Sequence, residues 1–286
     1  MLTTACSLVF WLWDQPQWLR GLSVIPVLLL LGKSWMIGAR SISTLPQAPS
    51  FGAFVLWSVA LPEGRFVADA KSRADLRARS AVDAVRVLAK AGVLLLLLAC
   101  NEHAELYAIR PIQLLWTAIV FYLLFSGLRD VLSVGWGALG VEVTELFDSP
   151  LIARNPRDFW GARWNLWFTQ TVHRLFFTPL RDRTSAAWAS AAVFALSAVV
   201  HEAIVVAGLA AFDGRMIGFF VVQGAGATAH TVLRSRGMRP WPRWAAVSAH
   251  FCWMWVTVAW FLDPLDVFMG VSEWGLTDVL RLAAPS

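Results

Sequence analysis

From Ala186 to Ala211 the chain is apolar apart from a few small polar residues and one adjacent ionisable pair, His201–Glu202. At 1.5 Å per residue a helix of this length spans ~39 Å, enough to cross a ~30 Å hydrocarbon layer with tilt. His201 lies ~15 Å from the Ala211 end, close to the bilayer midplane. An ionisable pair at that depth is expensive and by default faces a cavity or a protein partner, not lipid. This run leaves few choices: a chain built around it folds as helices in a membrane.

The rest of the chain agrees. Apolar residues make up 58% of its 286 residues, 17 of them are Trp, and mean hydropathy is +0.59, beyond the range of ordinary soluble domains. We expect an all-α, polytopic helical membrane protein with about 7–8 transmembrane or re-entrant helices and further interfacial ones. No Ser/Gly/Pro-rich linker and no internal repeat divides it, so 1–286 reads as a single membrane domain: N-terminal helices over 1–140, a core over 141–262 and a tail over 263–286. Cys6, Cys100 and Cys252 stand singly, without metal or disulfide spacing, so no metal site is expected. The net charge of +5 sits mostly in arginines between apolar runs, a topological pattern that makes nucleic acid an unsuitable partner.

In chain order, Leu2–Trp13 and Leu19–Leu31 are each too short for a perpendicular crossing, and Phe51–Leu61 reads as re-entrant or interfacial. Glu63–Arg86 has mixed charges at helical spacing, as expected of an amphipathic helix. Spans are expected over Val87–Cys100, with Lys90 snorkelling, and over Pro111–Leu128, with Arg129–Asp130 marking the end. Ala186–Ala211, Met216–Leu233 and Trp244–Leu262 complete the set. An even number of spans separates the basic stretches at 63–86, 142–183 and 234–243, so all three share one side. The positive-inside rule makes that side the cytoplasm.

The segment Arg157–Leu180 is too polar to cross a bilayer and too aromatic for a solvated loop. As one continuous helix it would gather Trp160, Trp164 and Trp167 in a stripe at headgroup level, with Asp158, Ala162, Asn165 and Thr169 opposite, so that Asp158 and Asn165 face inward together.

Here the sequence resembles the wax synthase-like branch of the membrane-bound O-acyltransferases. The family pattern Asp-Phe-Trp-Gly-Arg-Arg-Trp-Asn appears as Asp158-Phe159-Trp160-Gly161-Ala162-Arg163-Trp164-Asn165, followed by Arg174, Phe176, Phe177 and Pro179. The second element, Ser-Gly-x-x-His-Glu, appears as Ser197-Ala198-Val199-Val200-His201-Glu202. The likeness covers roughly Phe147–Trp260 and departs at Ala162 and Ala198, neither of which removes the Asn or the His. It implies catalytic roles for His201 and Asn165, with Asp158, Trp160, Arg163, Trp164, Ser197 and Glu202 as substrate-binding candidates.

The implied reaction carries an acyl group from a thioester to an alcohol. A neutral imidazole takes the hydroxyl proton, and an amide such as Asn165 stabilises the developing oxyanion. The expected substrates are acyl-CoA (or acetyl-CoA) and a lipophilic alcohol, with no bound cofactor. Arg157, Arg163 and Arg174 could meet the phosphates, although cation-rich loops also serve topology alone. Without the motifs, Asn165 would read as a helix-surface polar residue, and the depth of His201 would favour function only narrowly over a structural hydrogen bond to another helix. Ser197, one turn before His201, lacks the elbow that exposes a nucleophilic serine; it suits a backbone bond or the orientation of the imidazole.

Another class of protein fits the same residues: a multi-pass transporter with His201 and Glu202 lining a polar path. Transporters usually show two related halves with interrupted helices, and none is visible. The five dispersed histidines lack the clustering of a di-iron site, and Gly224–Thr228 falls mid-span, where small residues favour helix packing.

Overall fold

The computed structural model describes residues 15–38, 64–66, 70–104 and 109–277. The expected segments Leu2–Trp13 and Phe51–Leu61, and Cys6, lie outside them. Described elements are almost all helical, and four helices are long and apolar enough to cross a membrane. The all-α polytopic expectation therefore holds. The chain packs as two compact units, one of residues 1–45 and 147–269, the other of 46–146 and 270–286.

The first unit contains α1 (Gln17–Gly38), α4 (Pro156–Ala162), α5 (Leu166–Val172), α6 (Thr178–Arg181), α7 (Ala186–Leu209), α8 (Arg215–Ser235) and α9 (Arg243–Met269). The run Leu19–Leu31 is part of α1, a helix of 22 residues that carries Pro26 within it, so it is longer than its apolar run suggested. Ser185 caps α7 by accepting from the Trp188 N–H at 3.3 Å. The α7–α8 hairpin turns through Ala210 (φ 56°) and Gly214 (φ 81°), the latter a left-handed position that glycine takes without a Cβ penalty.

Small residues set the spacing within this unit. A Cβ on Gly224 of α8 would lie 2.7 Å from the Phe194 Cβ of α7, and one on Gly208 would meet the Phe268 ring at 2.9 Å. A Cβ on Gly21 of α1 would meet that same ring at 2.8 Å. Small residues let helices approach where lipid supplies no hydrophobic drive to associate. Because Phe194 Cβ cannot swing aside, Gly224→Ala must push α7 and α8 apart. We expect a cost of about 1–3 kcal/mol, seen as a thermal midpoint several degrees lower in detergent; an unchanged midpoint would contradict the packing. Between these helices, buried Ala198, Phe219 and Phe220 form one core cluster and Val205, Met216 and Phe268 another.

The second unit contains β1 (Gly64–Phe66), α2 (Ala70–Ala104), α3 (Arg110–Ala138), β2 (Val141–Val143) and a 3-10 turn, Val271–Glu273. The two strands pair antiparallel, Gly64 with Val143 and Phe66 with Val141. Two expected boundaries are corrected here. The charged stretch and the span at Val87–Cys100 are one helix, α2, of 35 residues. Arg129–Asp130 does not end α3, which runs on to Ala138.

The physical reason is a charge network shared by α2 and α3. Lys90 Nζ, expected to snorkel, donates to Asp130 Oδ2 at 2.6 Å. The Arg129 guanidinium reaches Asp130 Oδ1 at 3.1 Å and Asp83 Oδ2 at 2.9 Å, and donates to the Val143 carbonyl at 3.0 Å. Ser133 Oγ donates to Asp83 Oδ2 at 2.6 Å, and Arg86 reaches Asp83 Oδ1 at 3.0 Å. Charges neutralised in this way need no water, so the helix carries them inside. Asn101 fastens the 3-10 turn by donating to the carbonyls of Ser272 at 3.1 Å and Trp274 at 3.0 Å.

Candidate active site

The expected continuous helix over Arg157–Leu180 is broken. Asn155 caps α4, its Oδ1 accepting the Asp158 N–H at 2.9 Å, with Pro156 at the first helical position. The helix stops at Ala162, and Asn165 sits in the left-handed region at φ 45°. From there it caps α5, its Oδ1 accepting from Phe168 N at 3.3 Å. Asn is one of the few residues suited to both tasks, a short acceptor and a tolerated positive φ. The cap consumes the amide oxygen, and the Nδ2 hydrogens of Asn165 have no partner among the described residues.

Asp158 and Arg163 hold this break together. Asp158 accepts from Arg154 N at 3.0 Å through Oδ2 and from Arg163 Nε at 3.1 Å through Oδ1. Arg163 also donates through Nη1 to the carbonyls of Asp148 at 3.2 Å and Ser149 at 3.4 Å. Thr169 Oγ1 closes the turn by donating to the Trp160 carbonyl at 2.9 Å. Asp158 and Asn165 thus do not share a helix face: one clamps the turn and the other starts the next helix.

The break also dissolves the expected tryptophan stripe. Trp160 turns inward, its Nε1 donating to Gln223 Oε1 at 3.1 Å and its ring lying 5.5 Å from Phe220, 5.9 Å from Phe219 and 6.4 Å from Phe194. Trp164 packs instead on Phe147 at 4.5 Å and stacks on Phe159 at 5.3 Å. A helix wheel places both rings on one side only while the helix is unbroken.

On α7 the His201 Nδ1 lies 2.8 Å from the Ser197 carbonyl oxygen. A carbonyl only accepts, so Nδ1 carries the proton and Nε2 the lone pair in the neutral ring. The imidazole is walled by Phe220 at 4.4 Å, Phe261 at 5.8 Å and the edge of Phe168 at 6.3 Å. Phe168 is the residue whose N–H Asn165 caps. The segment bearing Asn165 is thereby brought against His201. Ser197 Oγ donates to the Val193 carbonyl at 3.0 Å, so Ser197 contributes its own carbonyl, not a nucleophile.

Glu202, buried beside His201 in sequence, points elsewhere. Its Oε1 accepts from the backbone N–H groups of Asp213 at 2.9 Å and Gly214 at 2.7 Å, which fastens the α7–α8 turn. Neighbours on a helix diverge by 100°, so the two ionisable groups serve different neighbours. We expect Glu202→Ala to strand both N–H groups and to cost about 1–3 kcal/mol, read as a lowered thermal midpoint with the His201 environment intact. An unaltered midpoint would show that the turn holds without it.

Gln223 escaped the sequence reading. A lone amide in an apolar span was the available signal, and it is fully buried. His250, also buried, lies 5.4 Å from Phe159, and neither of its ring nitrogens has a partner among the described residues.

A family model described as membrane bound O-acyl transferase matches residues 143–222, from β2 through α7 and into α8. That stretch holds both Asn165 and His201. Two Arabidopsis thaliana relatives of this kind are probable long-chain-alcohol O-fatty-acyltransferase 7, 27% identical over 56% of this chain and 50% of the relative, and number 6, 28% identical over 47% and 42%. Acyl-CoA–sterol O-acyltransferase 1 of the same plant is 23% identical over 68% of this chain and 59% of its own. The chain spans about half the length of the curated relatives it matches.

Proposed function

We propose that this protein is a membrane-embedded O-acyltransferase that moves an acyl group from acyl-CoA to the hydroxyl of a lipophilic alcohol. The observation that carries the reading is the His201 Nδ1 bond to Ser197, which leaves Nε2 unprotonated. His201 Nε2 takes the alcohol proton as the oxygen attacks the thioester carbonyl. The Nδ2 hydrogens of Asn165 donate to the negative oxygen of the tetrahedral intermediate. Collapse breaks the carbon–sulfur bond, and His201 returns the proton to the departing thiolate. The products are an ester and free CoA.

The match of residues 143–222 to the acyltransferase family model supports this chemistry, and the relatives' names point to long-chain alcohols or sterols as acceptors. In our reading the acceptor is a fatty alcohol, a terpenoid, a polyketide or a sterol. Trp160 backs the Phe220 ring that faces His201, and Trp164 packs behind it on Phe159. Asp158 and Arg163 hold the turn that presents Asn165, Ser197 holds the imidazole, Glu202 serves the α7–α8 turn instead, and Arg157 and Arg174 face the donor's phosphates from the cytoplasmic side.

The test is thiol release by the purified protein offered acetyl-CoA or palmitoyl-CoA with a panel of alcohols. Alcohol-dependent release is expected, and the preferred thioester separates fatty-acyl transfer from acetylation. Absence of release across the panel would overturn the reading.

A further inference from the structure

A fully buried amide inside an apolar helix is costly unless each polar atom finds a partner, and Gln223 of α8 finds them on two other elements. Its Oε1 accepts from the indole N–H of Trp160 at 3.1 Å and that of Trp253 at 3.2 Å. Its Nε2 donates to Thr257 Oγ1 at 2.8 Å, and that hydroxyl donates onward to the Trp253 carbonyl at 2.9 Å. Indoles only donate, so the atom facing both rings is the oxygen. One side chain therefore ties α4 to α8 and α9.

The tie leads to the imidazole. Trp160, held by Gln223, lies 5.5 Å from Phe220, and Phe220 is the ring nearest His201, at 4.4 Å. The Ser197 carbonyl anchors one edge of the imidazole, while the plane of the ring is set by what packs on its face. We propose that Gln223 is a positioning residue for acyl transfer: by holding the Trp160 and Trp253 indoles on one oxygen it seats Phe220 against His201 and so sets the direction of Nε2. This rests on reading His201 as the general base.

Two variants separate positioning from plain support of the fold. Gln223→Met keeps length and flexibility but strands both indole N–H groups. Gln223→Glu, while its carboxyl is protonated, copies the amide: the carbonyl accepts both indoles and the O–H donates to Thr257. Ionisation removes that donor.

Thiol release would be measured across pH for both variants and the parent, together with thermal midpoints. For Gln223→Met we expect kcat to fall about tenfold to a hundredfold with the acyl-donor KM within about twofold, since a small misdirection of a catalytic group has effects of this size. For Gln223→Glu we expect the rate relative to the parent to approach one at acid pH and to fall as pH rises. A Gln223→Met protein with the parent's kcat would overturn the positioning role. So would two variants equally impaired at every pH with equally lowered midpoints. A parent without thiol release on any substrate pair would overturn the acyltransferase reading itself, and this inference with it; an active parent with a fully active Gln223→Met would overturn only the latter.

Discussion

The His201→Ala protein should insert and fold normally yet release no alcohol-dependent thiol above background. Among the described residues the His201 ring makes one hydrogen bond, to a carbonyl of its own helix, so its removal leaves only an i−4 carbonyl that already accepts from the backbone. The rate falls because the unprotonated Nε2 beside the Phe168, Phe220 and Phe261 rings, the proposed proton acceptor, is gone. A positioned general base contributes on the order of 10²–10⁴-fold. Asn165→Asp is the sharper companion. Aspartate still accepts from Phe168 N and tolerates the left-handed backbone, so α5 keeps its cap, but the amide donor is gone and a negative charge faces the oxyanion. We expect an unchanged thermal midpoint with a rate loss of about 10²–10³-fold, the cost of one oxyanion donor. Parent-like turnover by either variant would sink the mechanism; an Asn165→Asp protein that unfolds would instead assign Asn165 to structure.

The second large effect is on stability. Asp130→Ala should destabilise the unit built from α2 and α3 by about 3–5 kcal/mol. Asp130 is 1% exposed and receives both Lys90 and Arg129. Without it Lys90 loses its carboxylate, and Arg129, itself buried, keeps only Asp83 and the partly exposed Glu145 among acidic partners. A buried cation without its partner costs far more than the intact pair contributes, because desolvation is no longer offset. The thermal midpoint in detergent should drop by about ten degrees or more. Lys90→Met should cost much less, since Arg129 still satisfies Asp130, and in the Asp130→Ala background it should recover part of the loss. A midpoint for Asp130→Ala within a degree or two of the parent would refute the network's role.

These two sites differ in how far they could be read from residue order. His201 at mid-depth in an apolar run, and Asn165 eight residues into an aromatic basic motif, stood out as catalytic candidates before any coordinates. What each does locally was not. A helix wheel assumes an unbroken helix, and the break at Arg163–Asn165 depends on Asp148, Ser149 and Arg154, whose bonds to Arg163 and Asp158 no spacing rule reports. Glu202 looked like half of an active pair because adjacency in sequence resembles adjacency in space; its bonds to Asp213 and Gly214 place it at the turn. Arg129–Asp130 looked like a boundary because isolated charges belong at water. Only Asp83 and Lys90, some forty residues away along the chain, make them affordable inside.

Residue order alone determined that this is a helical membrane protein, which runs in α7, α8 and α9 are long and apolar enough to cross a bilayer, and which two side chains stand out as candidates. Those conclusions rest on local quantities: transfer free energy summed over a span, charge between spans, and short motifs. Tertiary structure decided where helices end, which polar atoms are satisfied, and that Gln223 stands behind the aromatic wall of His201. Hydrogen-bond partners and neutralising charges come from distant parts of the chain, and a buried polar group has no fixed cost until its partner is known.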